Sequence, residues 1–477
     1  MSGLADNHHV NSAAEGSKKA EARNNAQISI AIVGGGVVGV VLALGLLHRG
    51  VQVVLYERAS NFHDVGAGIA FTEVARKCMF LLNPAILESM KRVGVPQKNP
   101  FDEYWDGYHH TGGYALKTAN NNIGDPEGTS SRLLFKRYNR QLAFWGCLRA
   151  QFVEDLSRAL PPGVVHFNKE LVDYSDSPSS KSVTLRFADG SVSTADALIG
   201  CDGLRSRVRA QLLAAEAPLA VNPTYAHKRC YRTVVPTSDG ERVLGTRKAN
   251  DQCMHVGPGA HIVTYPVGER MLNVVVFLAD DGDWPDLDRS TKAPGRREDV
   301  LRALEGWGPA ARGLAALLPP RELTVWGIFD MCEHPAPYYA RGRVCLAGDA
   351  AHASAPYHGA GAGFGIEDAL VLATALEEVL ETLNGAEGGE KSKAEAIGTA
   401  FQAFNQVRYA RTQWLVRSSR ETGDIFEWRY PGTGMDSAKC LAELDERFKV
   451  IWDFDVDGMI EESRAVYHRL LAGKGIS

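Results

Sequence analysis

The stretch Ile28-Ser-Ile-Ala-Ile-Val-Gly-Gly-Gly-Val-Val-Gly39 decides the fold. Ile28 to Val33 reads as a strand buried on both faces. Gly34, Gly36 and Gly39 follow at the spacing G-x-G-x-x-G, and an apolar helix over roughly Val37 to His48 continues without a break. A second β-branched run, Val51 to Tyr56, ends on Glu57, 23 residues after Gly34. Strand, glycine turn, helix, strand and acid in this order form a dinucleotide site. Gly34 permits the tight turn, Gly36 lets the backbone approach a pyrophosphate, and Gly39 lets helix and strand pack closely. The helix N-terminus offers free N–H groups and a positive dipole end to phosphates. Glu57 can accept hydrogen bonds from both ribose hydroxyls and would repel a 2′-phosphate, which leaves FAD or NAD.

The 477 residues suggest two or three domains with ample core. A hydrophobic content of 45% and a charged content of 23% are those of an ordinary soluble protein, and a net charge of −5 offers nothing to nucleic acid. The eight cysteines are scattered without a C-x-x-C pair, several in apolar strands, as expected of buried thiols in a reducing compartment. Residues 1–27 are polar and read as a disordered tail with neither signal nor transit peptide. The longest apolar run, Val37 to Leu47, is too short to span a bilayer. The expectation is a cytoplasmic protein without a transmembrane segment, monomeric or homodimeric, with no nucleic-acid partner.

Farther along, Gly66 to Ala70 is a glycine-rich crossing segment placed to lie near the nucleotide. Helices are expected at Glu73 to Leu82 and Pro84 to Val93, and irregular backbone or short strands over 96–130. Cys147 to Leu160 reads as a helix with Arg149 away from its apolar face. Residues 164–194 alternate between turn signals as hairpin strands do, and Ala195 to Gly203 is a buried strand ending on Asp202-Gly203. Cys230 to Val235, His261 to Val267 and Leu272 to Leu278 suggest an antiparallel sheet inserted into the α/β core, which resumes at Leu323 to Asp330.

The strand Val344 to Ala347 ends in Gly348-Asp349-Ala-Ala-His352, and Pro356 to Gly365 carries four glycines at alternate positions before a helix starting near Gly363. Bare backbone at a helix N-terminus suits a flat group that gains negative charge. A reduced isoalloxazine does so, whereas a nicotinamide is positive or neutral, so FAD is favoured. The fold expected is α/β: a Rossmann-like FAD-binding domain with βαβ units over 28–213 and 323–425, and an inserted, mostly antiparallel substrate-domain sheet over 214–322 with a possible contribution from 96–131. C-terminal helices follow over 426–477.

Three fingerprints in order, Gly34-x-Gly36-x-x-Gly39, Cys201-Asp202-Gly203 and Gly348-Asp349-Ala-Ala-His352, resemble those of single-component FAD-dependent aromatic hydroxylases of the para-hydroxybenzoate hydroxylase fold. The likeness runs from about Ile28 to Ser419. It implies that Glu57 holds the adenosine ribose, that Arg149 reaches the flavin side chain, and that Asp349 binds the ribityl–pyrophosphate region. It further implies that Ala70 and Ala362 line the cofactor with backbone, and that Asp202-Gly203 serves both FAD and a transient reductant, NADPH or NADH. Two segments, Tyr231 to Pro236 and Met254 to Val267, together with Ile451-Trp-Asp-Phe-Asp455, resemble fungal salicylate hydroxylase-like enzymes. They resemble still more the dearomatising hydroxylases of tropolone, sorbicillinoid and azaphilone pathways. That subgroup's catalytic arginine and tyrosine fall on Arg232 and Tyr265.

The resemblance implies a monooxygenase that uses dioxygen and hydroxylates a phenolic, orcinaldehyde-like polyketide ring with loss of aromaticity. A salicylate-type decarboxylating hydroxylase, a meroterpenoid epoxidase and a non-catalytic FAD-fold binding module are the alternatives. The chemistry is coherent, since electrophilic oxygen needs an electron-rich ring. A fixed guanidinium stabilises phenolate, and a tyrosine hydroxyl can orient it. Each residue also has a plainer reading, Arg232 on a strand surface and Tyr265 in the core beside Pro266. His352 and His358 lack the partners of a metal site, so no metal is expected, and His358 would line the flavin edge. His255, His261, Trp105, Tyr108, His109 and His110 could wall a pocket or serve packing.

Overall fold

The computed structural model describes residues 27–62, 68–97, 99–110, 131–139, 144–177, 179–286, 290–385 and 392–473. All but Gln27 of the expected tail lies outside them, as do 111–130 and part of the glycine-rich crossing. The chain begins with strand β1 (Ser29–Val33), helix α1 (Val37–His48) and strand β2 (Gln52–Tyr56). Strand β3 (Gly68–Phe71), helices Glu73–Leu82 and Pro84–Val93, strands β4 (Phe101–His110), β5 (Ser131–Tyr138) and β6 (Trp145–Leu148), and helix α2 (Arg149–Ser157) follow. The middle of the chain supplies β7 (Ala197–Gly200), β8 (Thr224–Pro236), β9 (Cys253–Gly257), β10 (Ala260–Val267), β11 (Met271–Ala279) and β12 (Leu323–Asp330). Strand β13 (Val344–Leu346) and helices α3 (Gly361–Asn384), α4 (Lys393–Phe426), α5 (Ser437–Trp452) and α6 (Val456–Leu471) complete it.

β13, β7, β1 and β2 lie parallel in that order, with Ala340–Arg341 and Val165–His166 at the edges. Helix α1 is buried almost all round because it lies between this sheet and α3, which explains why its sequence is apolar without a polar face.

The second sheet runs Lys292–Gly295, β12, β8, β11, β10, β9, β4, β5, and its pairs are antiparallel except β9 with β4. Side chains alternate between two cores. Ile262, Val274 and Val276 pack on one face with Leu314 and Trp307. Met254, Val275 and Phe277 face the other way, towards Tyr357 and Phe364.

Three sequence expectations change. Residues 101–110 form a ten-residue strand rather than short or irregular pieces, paired on both edges with β9 and β5. Leu323 to Asp330 hydrogen-bonds to β8 and so belongs to the large sheet, not to the parallel core, because both strands alternate and find their partners there. Cys147 and Leu148 extend β6 by pairing with Ile69 and Gly68, so the helix begins only at Arg149.

A buried charge cluster ties the C-terminal helices to the parallel sheet. Asp368 of α3 accepts from the Gly348 N–H at 3.0 Å, meets His352 Nε2 at 2.5 Å and pairs with Arg408 of α4 at 2.8 Å. Glu367 binds Arg408 at 2.7 Å and Arg411 at 2.8 Å. Burial would raise the Asp368 carboxyl, but His352 and Arg408 outweigh it and hold it at about 2. Its folded value lies below the unfolded one of about 3.9, so its stabilisation is full above that pH and is lost as pH falls through about 2. Asp368→Asn strands buried cations, and urea unfolding at pH 7 is expected to show a loss of about 3–5 kcal/mol. The difference from wild type narrows as the pH falls below about 4.

Candidate active site

The glycine turn brings three segments together at the closest approach backbone allows. Gly34 has φ +110°, and a β-carbon there would stand 2.3 Å from the Cys201 carbonyl oxygen; at Gly39 it would stand 2.0 Å from the Gly34 oxygen. Among the described residues no side chain is seen to bond the N–H groups at the N-terminus of α1, which Gly36 caps. Arg149 reaches this end, its Nη2 lying 3.4 Å from where a Gly36 β-carbon would be. The shortened helix makes this possible, since it sets Arg149 at the first turn of α2, just beyond β6. Glu57 stands across the turn, accepting the Gly35 N–H at 2.6 Å and the Ala59 N–H at 2.8 Å.

Asp349 follows β13 and is exposed. Surrounding protein raises its pKa, against the pull of His352, Arg149 and Arg209. Arg209 escaped the sequence reading. It is completely buried, burial lowers it to about 10, and it donates to the carbonyls of Leu204, Val221, Asp349 and Ala350. The alternation Arg205, Arg207, Arg209 after Asp202-Gly203 was a weak signal, for which of the three turns inward depends on the helix they enter.

Asp202 is bound to the turn that follows it. One carboxylate oxygen accepts the Ser206 hydroxyl at 2.5 Å, and the other accepts the N–H groups of Arg207 at 2.7 Å and Val208 at 3.1 Å. It thereby supports the first turn of the helix Arg207–Leu213, whose N-cap is Ser206. The glycine-rich segment before α3 turns at Gly359 and enters helix at Gly361, two residues before the expected start, again with no side chain among the described residues bonding its first N–H groups. Ala362 lies in that first turn, half-buried. Ala70 of β3 faces Gly359, Ala360 and Gly363 across a narrow cleft bounded by Ile451 of α5.

Arg232 and Tyr265 come to one face of the large sheet. Arg232 pairs with Val275 and Tyr265 with Asn273, so the two flank β11 two residues apart along it. This face looks towards β3 and β6, where the Tyr265 hydroxyl would lie 2.5 Å from a β-carbon on Gly68 and its ring 3.4 Å from one on Gly146. Burial raises the Tyr265 hydroxyl, and Arg232 partly counters it. The buried Asn273, across from Tyr265 in the register, also counters that rise, while its Oδ1 has no partner among the described residues. Asn273 was not singled out in the sequence, where a polar residue within Leu272 to Leu278 looked incidental.

The other candidates fall to packing. His352 serves the Asp368 cluster. His358 turns into the C-terminal helices, hydrogen-bonded to Ser418 at 2.9 Å and stacked on Trp414, and burial lowers it to about 3. His261 is buried and bound to Glu427 at 3.1 Å. His255 is buried too, Trp105 packs under Lys248, and Tyr108 and His109 lie at the surface. His110's side chain lies outside the described residues. Among the described residues no group of three or more His, Cys, Asp or Glu could hold a metal ion, and no helix is long and apolar enough to cross a membrane.

Residues 27–390 match the FAD binding domain family. The chain belongs to the FAD-dependent monooxygenases. It is 48% identical to the FAD-dependent monooxygenase SAT7 of Stachybotrys chartarum over 92% of both chains, and 43% identical to the salicylate hydroxylase asL1 of Sarocladium schorii over 92% of this chain and 91% of that one. Among solved structures, a salicylate hydroxylase substrate complex superposes with a TM-score of 0.75 at 30% identity, covering 92% of this chain and 98% of that one. FAD is the cofactor of this monooxygenase, and the site fits it. The cradle around Gly34 and Gly39 admits only bare backbone, two uncapped helix ends and Arg149 favour negative charge, and an open carboxylate can take hydroxyl donors.

Gly39→Val forces a side chain onto the Gly34 carbonyl, and the purified protein is expected to lack the flavin band near 450 nm. Arg149→Met keeps the fold by circular dichroism but weakens FAD binding about tenfold or more in fluorescence titration.

Proposed function

We propose that this monooxygenase hydroxylates an electron-rich phenolic ring, with Arg232 and Tyr265 as its catalytic residues and NADPH or NADH as a transient reductant. The observation that carries the reading is the placing of one cation and one hydroxyl on the sheet face that looks towards β3 and the start of α3. Gly34, Gly36, Gly39, Glu57 and Asp349 would hold the dinucleotide, with Arg149 near its phosphates and Ala70 and Ala362 along the flavin. Asp202-Gly203 would serve both FAD and the reductant. Bound and reduced, FAD supplies an electrophilic oxygen drawn from dioxygen.

The protein's part is to prepare the ring. Arg232 lowers the pKa of a phenol beside it, since a guanidinium stays charged at every working pH and favours phenolate. Tyr265 stays protonated because burial raises its pKa, so it donates to the substrate oxygen rather than taking its proton. With Asn273 beside Tyr265 in the register, a second polar side chain on this face would help hold the ring in one orientation. Dearomatisation of an orcinaldehyde-like polyketide follows if the carbon attacked already carries a substituent that cannot leave. A salicylate-type outcome is the second reading, favoured by the salicylate hydroxylases among the relatives. In that case the carboxylate leaves as carbon dioxide and the product stays aromatic.

Incubation with phenolic aldehydes, salicylate, FAD and reduced nicotinamides under ¹⁸O-labelled dioxygen is expected to yield products carrying one labelled atom. Loss of near-ultraviolet aromatic absorption marks dearomatisation, and catechol with carbon dioxide marks the alternative. Arg232→Ala is expected to lower kcat/KM by about a hundredfold or more, and Tyr265→Phe by about tenfold, with FAD content unchanged. Unaltered turnover in Arg232→Ala would overturn the phenolate role.

A further inference from the structure

Arg232 does not stand alone on its face of the sheet. Trp326 of β12 lies across from Cys230 on one side and from Lys292 on the other. Arg232, two residues beyond Cys230, therefore sits on the diagonal from Trp326, a distance that a long side chain spans. The guanidinium carbon lies over the indole ring, 3.9 Å from its centroid. Lys292 Nζ approaches the same ring to 4.1 Å. Trp326 is half-buried and packs with the apolar side chains of this face, so the ring cannot swing with its guest. An arginine on a strand otherwise has several rotatable bonds with which to lose its aim.

We propose that Trp326 is the positioning residue of the site: its indole face holds the Arg232 guanidinium flat, so that the N–H edge is presented to the substrate oxygen. The attraction is that of a cation for the negative face of an aromatic ring, and the planar guanidinium also gains by stacking. The arrangement differs from orientation by a carboxylate in one functional respect. An indole carries no formal charge, so it fixes the cation without neutralising the charge that a phenolate needs. Among the described residues, the charged and titratable groups that face Arg232 include Lys292 beyond the ring, Cys230 on its own strand and Tyr265 across β11. Lys292 is exposed and adds to the positive potential at the edge of the platform.

This inference rests on the reading that Arg232 binds phenolate, and the test separates the two. The probe is 2,4-dihydroxybenzaldehyde bound to the FAD-loaded protein, its ionisation followed by ultraviolet difference spectroscopy against pH. The wild type is expected to bind the phenolate form in preference, with an apparent pKa below that of the free phenol. Trp326→Leu is expected to raise the bound pKa by about half a unit to one unit, a three- to tenfold change in ionisation, and Trp326→Phe to restore most of it. The FAD content of both variants stays that of the wild type. Arg232→Ala is expected to raise the bound pKa at least as far, and Trp326→Leu added to Arg232→Ala to change it no further.

If Arg232→Ala shifts the bound pKa and Trp326→Leu does not, the positioning role is overturned and the phenolate reading stands. Absence of phenolate preference in the wild type, or of any shift in Arg232→Ala, overturns both. A Trp326→Leu effect that persists undiminished without Arg232 also overturns the inference, since a general loss of packing would act that way.

Discussion

A buried carboxylate, Asp368, is the point on which the cofactor half of the molecule depends. It sits about two turns into α3, beyond the reach of water, and is bound at once by a backbone N–H at Gly348, by His352 and by Arg408. Each partner belongs to a different part of the chain: the turn after β13, the short helix that follows it, and the long α4. An ionised group in such surroundings is tolerated only with its partners in place. The cluster therefore acts as a register pin between the parallel sheet and the C-terminal helices. Gly348 precedes Asp349 directly, so the pin also decides where the open carboxylate of the site stands.

Around that pin the cofactor cradle is made of backbone. Gly34 and Gly39 bring β1, α1 and the segment after β7 into contact, and the starts of α1 and α3 present N–H groups that no side chain claims. Arg149 supplies the charge, and Arg209 bolts four carbonyls together behind Asp349. The substrate side is made differently. There the large sheet presents side chains in register: Arg232 and Tyr265 to either side of β11, Asn273 beneath the hydroxyl and Trp326 beneath the guanidinium. A rigid strand surface suits groups that must be aimed, whereas helix ends suit a ligand that is bound chiefly by its phosphates.

Much of this was legible in the sequence because the signals are local. The spacing of Gly34, Gly36 and Gly39 between a buried strand and an apolar helix admits few other structures, and the second acidic strand end at Asp349 points to a second βα unit. The errors share one cause. Leu323 to Asp330, Phe101 to His110 and Cys147-Leu148 are strands whose partners lie far away in the chain, and hydrogen-bonding partners are not written in periodicity. The surroundings of Asp202 were not legible either, since a carboxylate at a strand end suits both a ligand and the first turn of the next helix, and its bonds to Arg207 and Val208 appear only in the structure.

By itself the sequence determined the dinucleotide fingerprint, the choice of a flavin over a nicotinamide, the α/β core with an inserted sheet, and the family to which the chain belongs. These follow from residue type at fixed short spacing, where sterics and helix dipoles leave little freedom. Only the tertiary structure decided that Arg149 reaches Gly36, that Arg209 rather than Arg205 or Arg207 is buried, that Asn273 and Trp326 stand beneath Tyr265 and Arg232, and that Asp368 closes the core. Most of those are contacts between residues tens to hundreds of positions apart, and all of them exist only once sheet order and strand register have been chosen by the packing of the whole chain.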